Sequence, residues 1–116
     1  MKERPVSAYL EDLLECMNRI ESYIRNMDYQ RFMWNNMVQD AVLKNLRSMS
    51  DAAKKIPTDI KDRHAEIPWK RIIGARDAVV HEHFGYDLPN LWKIITDDIP
   101  EIKTDFIMLS ERHEVK

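Results

Sequence analysis

Apolar side chains recur every three or four residues along most of this chain, the spacing that places them on one face of an α-helix. The first such stripe predicts a helix from about Pro5 to Met27. The second predicts a helix from about Tyr29 to Ile56, roughly 40 Å long at the rise of an α-helix. The stripe residues are Leu10, Leu13, Leu14, Met17, Ile20 and Ile24, followed by Trp34, Val38, Ala41, Val42, Leu46, Met49, Ala53 and Ile56.

Turn and cap residues divide the rest of the chain into shorter helices. Residues 57–67 form a polar connection with room for one helical turn. A third helix begins near Pro68, because proline suits a first turn. It is predicted to end near His83, because Gly85 suits the left-handed position just past a helix.

Aspartates mark further helix starts, because a carboxylate accepts the free amides of a first turn. Asp28 caps the second helix, and Asp87 caps a short segment that contains Leu91 and Trp92. Asp97 or Asp98 caps a final helix with Ile99, Ile102, Phe106 and Leu109 at helical spacing.

Four to five helices with mostly short connections predict an all-α fold, an antiparallel bundle. The 116 residues fit a single helical domain that spans residues 1–116. The second helix is longer than so small a core requires. Its surplus length indicates contact with a second chain, and we expect a two-fold homodimer.

Composition limits the location and the redox chemistry of the protein. Cys16 is the single cysteine and lies among apolar helical positions, so we expect a small buried side chain rather than a nucleophile. A single thiol makes no internal disulfide. No apolar run approaches the ~20 residues of a membrane span, and residues 1–15 lack a signal-peptide core. We therefore expect a cytoplasmic protein with no membrane partner.

The net charge of −2 is unevenly distributed. Residues 52–76 contain seven basic and three acidic side chains, a net charge of +4. This segment could face a polyanion. A solvated helix–loop–helix rim explains it as well, and on charge alone is preferred, because general nucleic-acid binders are more basic overall.

Most catalytic motifs are missing from the sequence. It contains no Gly-rich phosphate loop, no Cys-x-x-Cys and no His-Glu-x-x-His. His81 and His83 flank Glu82, but no third zinc ligand is evident, so we predict neither a metal site nor a cofactor.

One pair of residues does suit a reaction. Arg76 precedes His81 by five residues, and the polar Asp77 directly follows the arginine. A guanidinium matches phosphate, and an imidazole moves protons near neutral pH. Together they suit metal-free cleavage of an RNA phosphodiester. The imidazole would activate the ribose 2′-hydroxyl or protonate the leaving oxygen, and the guanidinium would stabilise charge on phosphorus.

Spacing alone does not make this pair a site. Five helical residues rotate the chain by ~140°, so Arg76 and His81 converge only if the helix ends near His81 or if two chains bring copies together. The alternative is an ion pair of Arg76 with Asp77 or Glu82, beside a histidine at a helix end. On spacing alone, that alternative is favoured.

The same segment resembles the signature region of HepT-like proteins in the HEPN superfamily, whose motif is R-x-x-x-x-H-x-Y. The resemblance covers about residues 7–109. Matching elements occur in order: Gln39 to Leu46, Ile67-Pro68-Trp69, Ile72-Ile73-Gly74, Arg76, His81, Phe84-Gly85 and Trp92.

The resemblance implies an α-helical bundle, homodimerisation and metal-independent endoribonuclease activity, commonly as the toxin of a toxin–antitoxin pair. The usual antitoxin is a small MntA-type nucleotidyltransferase that attaches AMP to the motif tyrosine. Arg76 and His81 fall on the catalytic positions of the family, and Asp77 on its polar position.

The sequence departs from the motif at the tyrosine. His83 stands there, and either assists catalysis or fills space. Tyr86, three residues on, is a candidate AMP acceptor outside the motif. A second departure lies at residues 49–52, where relatives often carry Gly-Glu-Ala and this chain carries Ser50-Asp51-Ala52. The altered motif keeps an alternative open: a non-catalytic partner that binds a nucleotidyltransferase or a nucleotide.

Overall fold

The computed structural model of the chain describes residues 4–81 and 85–112. Within these residues a hairpin of two short strands, β1 (Val80–His81) and β2 (Gly85–Tyr86), follows the fifth of seven α-helices. The π-helical segment Ile94–Asp98 joins the last two helices. The helices are α1 (Val6–Ile24), α2 (Tyr29–Met33), α3 (Asn36–Lys55), α4 (Thr58–Arg63), α5 (Trp69–Val79), α6 (Leu88–Lys93) and α7 (Ile99–Arg112).

Four helical stretches pack side by side, each antiparallel to its neighbours: α1, α3, α5 and the stretch from α6 to α7. The Tyr9 ring near the start of α1 lies 6.0 Å from Lys55 Nζ at the end of α3. Ser50, in the last turns of α3, donates a 2.6 Å hydrogen bond from its hydroxyl to the carbonyl of Ile73 in α5. This confirms the predicted all-α antiparallel bundle. None of the described helices combines the length and the apolar character needed to cross a membrane.

The predicted stripes form most of the core. Cys16 is buried among them, as expected, and burial raises the pKa of its thiol, which disfavours the thiolate. The buried stripe residues include Leu10, Leu13, Met17, Ile20, Val42, Leu46, Met49, Ala53, Ile56, Ile99, Ile102, Phe106 and Leu109.

The prediction of one long second helix is wrong, because the helix is interrupted between α2 and α3. Asn35 caps α3, and its Oδ1 accepts a 3.0 Å hydrogen bond from the Val38 amide. Trp34, expected on the buried stripe, ends α2 and is 83 % exposed. At 20 residues, α3 is roughly 30 Å long. The surplus helix length that pointed to a second chain is therefore absent.

A buried glutamine holds the two pieces together. Gln39 Nε2 donates to the carbonyl oxygens of Phe32 at 2.8 Å and Met33 at 2.9 Å. Both carbonyls stand at the C-terminus of α2, where helix carbonyls lack partners within the helix. The Phe32 carbonyl also accepts a 3.1 Å hydrogen bond from the Asn35 amide. The Gln39 side chain thus ties the first turn of α3 to the end of α2.

Replacing Gln39 by leucine should lower the free energy of unfolding by about 1–3 kcal/mol, the cost of leaving buried polar groups without partners. Urea unfolding followed by circular dichroism measures this change. Gln30→Leu is the matched control, because Gln30 is exposed on α2 and its substitution should change stability little. Equal stability of both variants would show that the Gln39 bonds contribute nothing.

The end of the third predicted helix is also corrected. We expected it near His83, but α5 ends at Val79 and the backbone becomes extended at Val80. Gly85 has the expected positive φ, +78°, but uses it in the hairpin and not as a helix cap. The β-branched pair Val79-Val80 favours extended backbone, which explains the early end.

The aspartate caps were predicted with mixed success. Asp28 accepts a hydrogen bond from the Arg31 amide and Asp87 from the Asn90 amide, as expected. Asp97 and Asp98 cap nothing, because the backbone stays helical from Leu88 to Arg112 through the π-helical segment. In a π-helical turn the hydrogen bonds run from residue i to i+5, so the turn holds one extra residue. The predicted turn within residues 57–67 is α4.

Candidate functional site

Helix α5 carries the candidate arginine in its last turn. Ile72, Ala75 and Val79 are buried along one face of the helix and anchor it to the bundle. Arg76 lies beside this face with 40 % of its side chain exposed. A cation in the last turn is stabilised by the partial negative charge of the helix C-terminus. The arginine is therefore held on a fixed element while its guanidinium reaches solvent.

The guanidinium of Arg76 uses one of its donors on a neighbour. Nη1 lies 3.2 Å from Oδ1 of Asp77, whose side chain is 79 % exposed. This is the Arg76–Asp77 ion pair expected if the arginine has only a structural role. Exposed pairs of this kind contribute only about 0–1 kcal/mol to stability. An arginine has five N–H donors, so most of the fork stays available for a phosphate.

A second arginine of α5 shows what a structural role looks like here. Arg71 Nη2 lies 2.7 Å from Oδ2 of Asp98 in the π-helical segment, so it joins two elements. These two residues border a cavity of about 370 Å³ between α5 and the π-helical segment, whose walls are Gly74, Ala75 and several isoleucines. Arg76 makes no such link between elements among the described residues.

The hairpin places the backbone of His81 just beyond α5. His81 pairs with Gly85, and Val80 pairs with Tyr86. The Asp87 amide closes the hairpin with a 2.7 Å hydrogen bond to the carbonyl of Val79. The His81 side chain and the whole of His83 lie outside the described residues.

Helix α5 ends close to His81, which is one of the two conditions under which Arg76 and His81 can converge. Arg76 is helical, and His81 is two residues past the last helical residue, Val79, on an extended strand. The ~140° separation of an unbroken helix therefore does not apply to this pair. The Arg76 side chain and the His81 backbone therefore lie at the same end of α5.

Tyr86 lies on β2 and is exposed. The pairing of β2 with β1 brings it beside the strand that carries His81, so its hydroxyl is accessible at the same end of α5. Sequence reasoning named this residue but not the hairpin that positions it. The signal for the hairpin was the β-branched pair before His81 and the glycine after it.

Among residues 4–81 and 85–112, no three His, Cys, Asp or Glu side chains are grouped closely enough to hold a metal ion. The predicted histidine pair around Glu82 is not tested by this statement, because Glu82 and His83 lie outside those ranges. Of the candidate site residues, the structure describes the side chains of Arg76, Asp77 and Tyr86.

Comparison with known proteins identifies the family. A family model described as ribonuclease HepT-like matches residues 13–108. The chain belongs to the ribonuclease HepT-like family. Its membership confirms the resemblance carried by the motifs and the expected enzyme class, a ribonuclease.

Several HepT-like relatives match over nearly their whole length. A candidate RNase of Methanocaldococcus jannaschii is 39 % identical over 106 residues, which cover 91 % of this chain and 88 % of the relative. A probable ribonuclease HepT of Thermococcus cleftensis is 39 % identical over 98 residues, covering 84 % and 89 %. A candidate RNase of Caldanaerobacter subterraneus is 32 % identical over 96 residues, covering 82 % and 85 %. The search of solved structures found no match.

Proposed function

We propose that this HepT-like protein is a metal-independent endoribonuclease whose catalytic residues are Arg76 and His81. The observation that carries the proposal is the end of α5 at Val79, three residues past Arg76 and two before His81. It puts a half-exposed guanidinium and the histidine strand at one end of a buttressed helix.

The reaction needs only groups that this chain supplies and solvent water. The His81 imidazole takes the proton of a ribose 2′-hydroxyl as the 2′-oxygen attacks phosphorus, and solvent water protonates the departing 5′-oxygen. In the alternative, the His81 imidazolium protonates the 5′-oxygen and water takes the 2′-proton. The bond from phosphorus to the 5′-oxygen breaks. The products are a 2′,3′-cyclic phosphate and a 5′-hydroxyl. The Arg76 fork stabilises the negative charge that grows on the phosphoryl oxygens.

The neighbouring residues support this pair. Asp77 holds one Nη of Arg76 and so restricts the orientation of the guanidinium. His83 is a candidate for a second proton-transfer group, and Tyr86 offers the exposed hydroxyl for attachment of AMP. We further propose that two copies form a two-fold homodimer with the site at the seam.

A ribonuclease that cleaves cellular RNA must be inhibited during growth, so we propose that the protein is the toxin of a toxin–antitoxin pair. Its partner would be a small MntA-type nucleotidyltransferase. The accessible Tyr86 hydroxyl supports modification near the site. A histidine, His83, replaces the tyrosine of the motif, so the acceptor proposed here differs from the usual one of the family.

Purified protein should cleave total RNA in excess chelator, and the fragments should carry 2′,3′-cyclic phosphate and 5′-hydroxyl ends. End-specific labelling and ligation identify these groups. Cleavage that needs an added divalent cation would overturn the mechanism. If folded protein cleaves nothing and co-purifies with a nucleotidyltransferase, the non-catalytic partner is the correct function.

A further inference from the structure

The corner between α2 and α3 exposes a large aromatic side chain. Trp34 is 83 % exposed and the neighbouring Met37 is 80 % exposed. Burying a tryptophan would be favourable, so a side chain this exposed is available to a ligand. The asparagine cap at Asn35 and the Gln39 bonds hold the corner that presents it.

The indole borders a shallow, widely open concave surface of about 460 Å³. Its lining residues are Met27, Gln30, Arg31, Trp34 and Asn35. The chemistry of this surface is mixed: an aromatic face, two amides and one cation.

The polar groups of this surface are largely uncommitted. Within the described residues, the Arg31 guanidinium and the Gln30 amide make no side-chain hydrogen bond or ion pair. Asn35 uses its Oδ1 for the cap and leaves its NH₂ group free to donate. Arg31 carries the one charge among the lining residues, so the surface favours an anion.

This combination matches a nucleotide of single-stranded RNA. Bases stack on exposed aromatic side chains, amides bond to base edges, and arginine binds phosphate. An apolar protein partner would use the indole but would leave the cation and both amides without partners. The charge and the donors therefore favour RNA.

Helix α6 connects the helix that carries this surface to the hairpin. Trp92 of α6 packs on α2, with ring centroids 5.1 Å from Phe32 and 6.2 Å from Tyr29. Helix α6 begins directly after the hairpin that carries His81. Helix α6 thus follows the candidate catalytic strand along the chain and contacts α2, the helix that Trp34 ends.

We propose that Trp34 and Arg31 form a stacking subsite for one nucleotide of single-stranded RNA, outside the reacting phosphodiester. This rests on the proposed function, since it names a subsite for the same substrate. Trp34 would stack on the base, Gln30 and Asn35 would bond to its edge, and Arg31 would bind the adjacent phosphate.

Binding of a fluorescent 2′-O-methyl RNA oligonucleotide tests the subsite without cleavage, because the attacking hydroxyl is blocked. Trp34→Ala should weaken binding by about 5- to 160-fold, the range for loss of one stacked base. Trp34→Phe should recover most of this loss. Met37→Ala is the matched control, exposed like Trp34 but outside the concave surface, and should bind like the wild type.

Salt dependence tests the arginine separately. Arg31→Gln should reduce the slope of log K against log salt by about 0.7, the value for one phosphate contact on a single strand. Trp34→Ala should leave this slope almost unchanged. An unchanged slope for Arg31→Gln would overturn the assignment of Arg31 to a phosphate.

The outcomes separate the subsite from the proposed function. If the wild type cleaves RNA but Trp34→Ala binds and cleaves equally well, the subsite is wrong and the function stands. If Trp34→Ala weakens binding but the wild type never cleaves, the subsite stands and the function is wrong. If Trp34→Ala instead converts a dimer to a monomer in light scattering, the surface is a protein interface and the subsite is overturned.

Discussion

Replacing His81 by alanine is expected to slow RNA cleavage by about 100- to 10,000-fold, the contribution of a positioned general acid or base. Arg76→Ala should slow it by about 100- to 1,000-fold, because a fixed donor to the developing charge is lost. Initial rates on one labelled RNA, in excess chelator, measure both changes. Because the two residues serve one transition state, the double variant should be little slower than the slower single variant.

Lys70→Ala is the control for general loss of positive charge. Lys70 is an exposed cation on the same helix, at the end away from the hairpin, so its removal should change the rate little. Thermal unfolding must show that all variants stay folded. Full activity of a folded His81→Ala or Arg76→Ala protein would remove that residue from the site.

Mixing the two inactive variants tests the proposed seam. If each site takes its arginine from one protomer and its histidine from the other, a mixed dimer of Arg76→Ala and His81→Ala contains one intact site. Activity should then reappear on mixing. If both residues come from the same protomer, neither site is intact and the mixture stays inactive.

The largest expected effect on stability is at Phe106. This side chain is buried in α7, and its ring meets Trp69 of α5 edge to face, with centroids 5.4 Å apart. Phe106→Ala should lower the free energy of unfolding by about 3–5 kcal/mol, through lost burial and the cavity that remains. That is a large fraction of the about 5–15 kcal/mol typical of a domain.

The next residue supplies the control for this prediction. Ile107 is exposed, so Ile107→Ala should change stability by less than about 0.5 kcal/mol. Urea unfolding gives both values from the midpoint and the slope. A loss below about 1 kcal/mol in Phe106→Ala would show that α7 does not depend on this contact.

Hydrophobic spacing predicted the parts of the fold that depend on burial. The first predicted helix, Pro5 to Met27, becomes Val6–Ile24 with Leu13, Met17 and Ile20 fully buried. The spacing of apolar residues can be read directly from the sequence. A helix with one apolar face is most stable in a bundle when that face is turned toward the core. The bundle therefore followed from the stripes alone.

The interruption between α2 and α3 depends on side-chain hydrogen bonds, which the spacing of apolar residues does not reveal. Asn35 begins a helix by accepting one amide, and Gln39 reaches back to carbonyls six and seven residues away. Trp34 fits the apolar period of α3 but precedes this cap, so it stands outside the helix whose stripe it seemed to join.

The candidate site was predicted as residues but not as geometry. Arg76, Asp77 and Tyr86 are accessible at the end of α5, as their proposed roles require. The hairpin that follows α5 and contains Tyr86 is set by β-branched preference and a positive φ at Gly85, which are weaker signals than a helical stripe. Helix ends are decided by such local competition between backbone conformations.

The π-helical segment affects how related sequences should be aligned. Its extra residue is absorbed within one turn, so a relative that lacks a residue between Ile94 and Asp98 can form an ordinary α-helical turn there. The following positions, from Ile99 to Leu109, would keep the same side toward the core. A gap of one residue at this point in an alignment is therefore a change of helix type, with the downstream residues still in structural register.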